Sequence, residues 1–386
     1  VKERYDYIIQ GAGASGLWLA YGLLKEGLLD QGSLLIIEAD KSKQNDRTWC
    51  FWGDQEMRDL EFVDFSWHQV QVLGASQNIA PYKYYHCRSE AFYTYIKNAI
   101  GTSGQIDWCT GRVTSNGKID NHVSVDVSIE SDEGMSHVNL KSDWFFCSGG
   151  AAERTSEIGL WQSFVGWRVK SQTGGSLFSP QACTLMDFGI EQAGKTRFLY
   201  VLPFSGEEAL IEVTQFDKDV LGLEEGEQLL QEICENRGWD ISVLERENNA
   251  IPMSSIFDPT ERFYVADQRI VPLGVVAGAL KPTTGYGFLR MMHHGRSIAF
   301  ALKNNQQIPT LYRKKRFRFY DDLLLRILQK HPNRGKQIFD QLFQHQSASN
   351  VLRFLDEKTH IFQEIMIFSR LPKRLFLRTL FAEWMN

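Results

Sequence analysis

"YDYIIQGAGASGLWLAYGLLKEG", residues 5–27, decides the fold. Tyr5 to Gln10 is a short apolar run fit for a buried strand. Gly11, Gly13 and Gly16 then form GxGxxG, and the apolar spacing from Leu17 onward is helical. In a strand–turn–helix of this kind the first glycine permits the tight turn, the second lets a pyrophosphate approach the backbone, and the third packs helix on strand. The first helical turn offers unpaired N–H groups and the positive end of the helix dipole to that phosphate. Gly11, Ala12, Gly13, Ala14, Ser15 and Gly16 are therefore candidate dinucleotide ligands.

The next segment supports that reading. "GSLLIIEAD" (32–40) is a second strand ending in Glu38, where an acid accepts ribose hydroxyls. "DWFFCSGG" (143–150) closes a β-rich stretch and contributes Gly149 as a further candidate. Late in the chain, "IVPLGVVAGALKPTTGYGFLRMMHHGRSIAFAL" (270–302) again has the order strand, glycine loop, helix. Two-dinucleotide flavoproteins return to the flavin in this way, which favours FAD over NAD. Gly285 and Gly287 would admit close backbone contact, with Tyr286 and Phe288 beside them. Such flavoproteins often carry an Asp in the returning turn, whereas this chain has Ala277, Gly278 and Ala279.

Between these parts, residues 161–264 are mostly strands, with one acidic helix near 222–237, and the chain after 311 is helical. The expected fold class is α/β: a Rossmann-type FAD-binding domain (FAD-dependent oxidoreductase/monooxygenase-like fold) with an inserted β-sheet substrate domain and a helical C-terminal tail. The expected division is 1–160 with 265–310 for the cofactor, 161–264 for the substrate, and 311–386 for the tail.

At 386 residues, with 43% apolar and 23% charged residues, the chain can bury a sizeable core. Its net charge of −5 argues against nucleic acid as a partner. That average conceals 15 Lys and Arg against 7 Asp and Glu from residue 311 onward, so a basic tail follows an acidic body. "LYRKKRFRFYDDLLLRIL" (311–328) and "IMIFSRLPKRLFLRTLFAEW" (365–384) mix cations with apolar residues at helical spacing, as a membrane-surface helix requires; packing on the chain's own body is the other reading. No apolar stretch reaches the length of a membrane span. Six widely spaced cysteines without a CxxC pair argue against a zinc site or disulfide framework and for a reducing compartment. The expected location is cytoplasmic, peripheral to the inner face of the cell membrane. His293 and His294 form a helix-face pair with no metal-binding spacing.

"EALIEVTQF" (208–216) places Glu212 within an apolar strand. Alternation puts Leu210, Glu212, Thr214 and Phe216 on one face and Ile211, Val213 and Gln215 on the other. Asp187 in "LMDFGI" (185–190) is a second acid in apolar sequence, either a proton-transfer group or a hydrogen-bonded structural one.

Behind the glycine motif, "NDRTWCFW" (45–52), "FVGWRV" (164–169), "MDF" (186–188), "LIEVT" (210–214) and "KPTTGYGF" (281–288) occur in order, followed by "RFRFYDDLLL" (316–325) and "FLDEKT" (354–359). Together these segments resemble the lycopene cyclase family, most closely its bacterial flavin-dependent β-cyclases, over nearly the whole chain. The resemblance implies cyclisation of the ψ-ends of lycopene and related acyclic carotenoids to β-ionone rings without net redox change. It implies FAD active in its reduced form, with NADPH or NADH as electron donor. The family carries two acids in the form Leu-Glu-Glu-Thr or Ile-Glu-Asp-Thr; here the first is Glu212 and the second position is Val213. The expected acid is therefore Glu212, whose pKa burial would raise, with Asp187 as a second catalytic candidate. Thr48, Arg47 and Arg88 are expected toward the cofactor, surface positions being the other reading of the two arginines. Trp49, Trp52, Trp167, Phe188 and Thr214 are expected at the substrate, with Phe51, Tyr286 and Phe288 as further aromatic faces for a cation. A flavin redox enzyme (monooxygenase, halogenase or prenyl reductase) is the alternative, and a carotenoid- or lipid-binding protein on a degenerate flavin fold a third reading. Whether the preferred substrate is lycopene, neurosporene or a modified relative, whether one end or both are cyclised, and the oligomeric state are open at this stage.

Overall fold

The computed structural model describes residues 1–40, 45–54, 60–101, 103–131, 134–149, 152–257 and 269–384. Among these, three sheets form. The first has a parallel centre in which Arg4–Gln10 lies between Leu34–Glu38 and the end of Gly134–Cys147. Ile106–Ile119 pairs outside Leu34–Glu38, and Ile270–Pro272 outside Gly134–Cys147. Leu34, Leu35, Ile36 and Ile37 are all buried, as a parallel strand covered on both faces requires. The crossover between Ile106–Ile119 and Gly134–Cys147 is made by a strand, His122–Ser131, antiparallel to both. One face of this sheet is covered by that ribbon, through Val123, Val125 and Val127.

The other face carries the helices Ala14–Lys25, Ser89–Ile100 and Phe288–Lys303. Two of them approach closely at glycines. A Cβ on Gly295 would lie 2.7 Å from the Leu19 amide nitrogen, and one on Gly22 would lie 3.2 Å from the Gly295 carbonyl. The late helix is thereby clamped against the first one, which sets where the loop before it ends.

The second sheet has seven strands, with Trp161–Ser171 between Ile241–Pro252 and Glu208–Asp217, then Thr196–Pro203, Ala182–Asp187, Gln69–Val72 and Ala75–Asn78. Strands from 69–78 thus join the sheet formed by 161–252, although the sequence placed them with the cofactor domain. The 264/265 division lies outside the described residues. Helix Leu223–Arg237 covers one face of this sheet, over Val165, Leu199, Ile211 and Val213. Five helices between Lys315 and Trp384 follow, and some pack on its other face, where Phe339 and Leu325 meet Phe198 and Phe216. A small sheet, Thr48–Gly53 with Lys83–Arg88 and Phe65–Trp67, lies between the two halves.

Candidate active site

At the first helix the sequence pattern is realised as a cradle. Gly11 has φ +92°, and a Cβ there would strike the Ser148 hydroxyl; a Cβ on Gly16 would strike the Gly11 carbonyl. Gly13 is the N-cap of Ala14–Lys25 and offers no side-chain cap, so the first-turn amides are available to a ligand. Glu38 accepts a hydrogen bond from the Ala12 amide at 2.8 Å, which fixes the acid beside the turn. The Ser15 hydroxyl is buried without a partner among the described residues. Gly149 follows the neighbouring strand, and a Cβ on it would meet Gln10 Nε2 at 2.5 Å. Tyr93 donates to Asp46 at 2.8 Å; burial, then Asp46, pushes its phenol far up, with Arg47 and Glu38 both near enough to act on it. Arg47, half exposed, lies 3.9 Å from Asp46. Arg88 turns to Glu245, 3.3 Å away. A glycine cradle, an acid beyond it and an unsatisfied hydroxyl fit the pyrophosphate and ribose of a dinucleotide.

The returning segment connects this cradle to a second chamber. Gly274, at φ +65°, passes over Ser15, and the loop 279–287 is closed by Lys281 N–H donating to the Tyr286 carbonyl and Gly285 N–H to that of Lys281. Gly285 takes φ +70°, where a Cβ would meet Ile251 at 2.9 Å, and Gly287 caps Phe288–Lys303. Buried charges hold this loop to the tail. Lys281 Nζ lies 3.1 Å from Asp321 and 3.4 Å from Glu357, Thr283 donates to Asp321 at 2.8 Å, and Arg313 pairs with both acids. Burial alone would raise Asp321, but Lys281 and Arg313 outweigh it and hold its carboxyl below the ordinary range.

Beyond the loop opens an apolar cavity. Its wall includes Thr283, Thr284, Tyr286 and Phe288 from the loop, Thr48, Trp49, Cys50 and Trp52 from the small sheet, and Phe164, Tyr200, Glu212, Thr214 and Phe216 from the large one. The alternation expected for 208–216 holds: Glu212, Thr214 and Phe216 face the cavity, while Ile211 and Val213 pack against helix Leu223–Arg237. Burial pushes the Glu212 carboxyl well above the usual carboxylate range, with a second acid adding to the effect.

That second acid is Glu247. The family motif's second position, Val213, points away, but Glu212 and Glu247 both lie opposite Gly166, one on each neighbouring strand. A Cβ on Gly166 would sit 2.7 Å from Glu212 Cγ and 3.2 Å from Glu247 Cγ, so the two side chains occupy the room that a larger residue would take. Glu247 is near enough to raise the Glu212 carboxyl, and Thr48 donates to Glu247 at 2.8 Å. The sequence reading missed Glu247 because "LERENNA" (244–250) has the polarity of an exposed edge strand. The signal was Gly166, a glycine in mid-strand, which marks a close approach.

Nearby, Tyr84 links the phenols of Tyr200 (2.8 Å) and Tyr286 (2.5 Å), and Trp52 sets its ring edge-on to Tyr286 at 4.6 Å. Burial raises all three phenols and the Cys50 thiol, so these groups stay uncharged beside Glu212. Tyr84 and Tyr200 were also missed, being distant in sequence and unremarkable in pattern.

Three expected residues are elsewhere. Trp167 follows Gly166, so the two-residue period of the strand turns it to the opposite face, where its indole N–H donates to Glu227 at 3.3 Å. Asp187 sits at a strand end, about one-third exposed, held by Arg237 at 2.6 Å and the Gly189 amide at 2.8 Å. Phe188 stands behind the wall, stacked on Phe339 and beside Phe198. Phe51 also turns away from the carboxyl pair, stacking on Phe288 and Tyr85. Trp49, Trp52 and Thr214 do reach the cavity.

A three-layer nucleotide-binding half with a seven-stranded sheet over an apolar chamber defines the class: an FAD-dependent oxidoreductase/monooxygenase-like α/β fold. The chain superimposes on a geranylgeranyl bacteriochlorophyll reductase-like protein (Ta0516) from Thermoplasma acidophilum with a TM-score of 0.60 at 13% identity, covering 97% of this chain and 98% of that one. It also superimposes on the flavin-dependent monooxygenase PieE, solved with FAD and substrate, with a TM-score of 0.59 at 15% identity over 95% and 72% of the two chains.

Within that class the chain belongs to the lycopene cyclase family, whose model, described as "Lycopene cyclase protein", matches residues 6–381. It is 26% identical to a lycopene beta-cyclase of Pseudescherichia vulneris over 294 residues, 73% of this chain and 70% of that one. It is likewise 26% identical to a lycopene beta-cyclase of Pantoea ananas over 305 residues, 74% and 72% of the two.

Proposed function

We propose that the chain is an FAD-dependent lycopene β-cyclase that closes the ψ-ends of lycopene by protonation, ring closure and deprotonation. The observation that carries this reading is a buried carboxyl, Glu212, whose pKa burial and a neighbouring acid raise, facing an aromatic chamber that adjoins a dinucleotide cradle. The backbone and Ser15 of residues 11–16 with Glu38 would hold FAD, and the 283–288 loop would face its ring. Bound there in its reduced form, with NADPH or NADH as donor, the cofactor supplies negative charge near the developing cation.

The chain's own residues do the rest. Glu212 donates its proton to the terminal alkene carbon, and the tertiary cation that results is attacked by the internal double bond. Trp52, Tyr84, Tyr200 and Tyr286 present rings to that cation, each contact contributing roughly 0.5–2 kcal/mol when desolvated. The excess of aromatic over charged surface excludes water, which would otherwise capture the cation. Loss of a ring proton completes the product at unchanged mass.

The substrate reaches this chamber from a bilayer. Among the described residues no helix is long and apolar enough to cross a membrane. Helix Ile361–Ser369 instead exposes Ile361, Phe362, Ile365 and Met366 on one face, and Lys373–Trp384 exposes Leu377 beside Lys373, Arg374 and Arg378. Apolar residues framed by cations suit peripheral attachment to an anionic lipid surface.

The test is purified protein with lycopene in lipid vesicles, FAD and NADPH under anoxia. A β-ringed product of unchanged mass supports the reading. A product carrying oxygen, halogen or added hydrogen would replace it with flavin redox chemistry.

A further inference from the structure

We propose that Glu212 and Glu247 act as one carboxyl pair holding a single proton across the gap at Gly166, with Glu247 as the positioning residue that sets when Glu212 releases it. The chemical use of the pair rests on the cyclase reading; its existence does not.

Three observations lead to it. Gly166 separates the two strands' acids and leaves the space that both fill. Thr48 satisfies one oxygen of Glu247, whereas Glu247 Oε1 is buried and receives no hydrogen from the described residues. A proton on Glu212 supplies that missing hydrogen. Finally, among the described residues no cation is committed to the pair. On the strands around it, Arg168 is taken by Glu208, Arg88 by Glu245 and Arg246 by Glu227; the Tyr286 phenol and the Cys50 thiol lie near enough to feel Glu212, and Tyr200 is its partner on the adjacent strand. Two bare carboxylates in contact there would have nothing to offset their repulsion, so they retain one proton between them.

The pair closes the reaction's proton balance. Glu212 gives up the proton as the new C–H bond forms, leaving the pair doubly charged against the substrate cation. When the ring C–H breaks, its electrons form the ring double bond and the proton returns to the pair, which ends the cycle as it began. Glu247 lies outside the cavity wall, so its action is through Glu212: it holds the O–H in place, and its charge raises the proton affinity of its partner.

Infrared spectroscopy of the substrate-free holoprotein tests this. A protonated-carboxyl C=O band should persist above neutral pH in wild type and vanish in Glu212→Gln. In Glu247→Gln, where the neighbouring anion is gone, the band should titrate away at lower pH by about one unit or more. The alkaline limb of kcat/KM should move by the same amount. Thr48→Val removes a hydrogen bond to the charged form of Glu247 and should move the titration the opposite way. This variant also guards against a folding defect in Glu247→Gln. A band unmoved in both variants, or one still present in Glu212→Gln, overturns the pair. A band that behaves as stated in a protein that does not cyclise lycopene keeps the pair and removes the function. Normal cyclisation with an unmoved band does the reverse.

Discussion

Asp321 and Glu212 are both buried carboxyls, yet their surroundings drive them to opposite states. Asp321 meets Lys281, Arg313 and the Thr283 hydroxyl and is held ionised. Glu212 meets another acid beside buried phenols, and burial with that acid raises its carboxyl well above the usual range. Burial is common to both, so burial alone does not determine the charge; the partner does. The compensated cluster anchors the 279–287 loop to the tail. The uncompensated one stores a proton beside an apolar chamber, a state that is costly to keep and therefore chemically useful.

Four experiments separate the two clusters. The largest effect is expected in Glu212→Gln, which removes the transferable proton while keeping the shape. Lycopene turnover should fall about 10²–10⁴-fold, as for loss of a general acid, with FAD binding intact. In the other cluster, Asp321→Asn leaves buried cations under-compensated and should lower unfolding free energy by about 3–5 kcal/mol, read by denaturant titration. Because Asp321 is depressed in the fold, its contribution is present above its unfolded pKa of about 3.9 and is lost as pH falls through the folded value.

Glu212 must show the opposite sign. Its folded pKa is raised, so its contribution is full below the unfolded value of about 4.3 and is lost as pH rises. Glu212→Gln should thus match wild type near pH 4 and gain on it by about 1.4 kcal/mol per pH unit above that, up to the raised pKa. A flat difference across pH would mean that Glu212 is not held neutral. The smallest effect is expected in Trp167→Phe, which gives up one hydrogen bond on the far face of the sheet. It should cost about 1 kcal/mol or less and leave turnover unchanged.

The sequence exposed those features whose physics is local. The glycine turn with Glu38, the late return through 270–302 and the cavity-facing side of 208–216 each follow from spacing within one segment. Trp167 and Phe188 lie in family motifs yet off the cavity: strand alternation from Phe164 and Gly166 turns Trp167 to the far face, and Phe188 packs on Phe339. Glu247, Tyr84 and Tyr200 depend on which strands become neighbours, and a single strand's pattern does not contain its register with another. Strands 69–78, within the 1–160 division expected for the cofactor, join the large sheet for the same reason: their pairing partner, Ala182–Asp187, lies more than a hundred residues away.

Phe339, Leu342 and Phe343, with Val351, Leu352 and Leu355, bring the C-terminal helices into the cavity wall. The stretch that exposes an apolar face, Ile361–Ser369, thus follows directly on the helices that line the chamber. Under the proposed function, a cation held there has two fates, loss of a proton or capture by water, and the ratio of ring to alcohol is a leak rate. Loosening the tail would leave the acid and the cofactor cradle in place and still spoil the product, since what the helices provide is time without water.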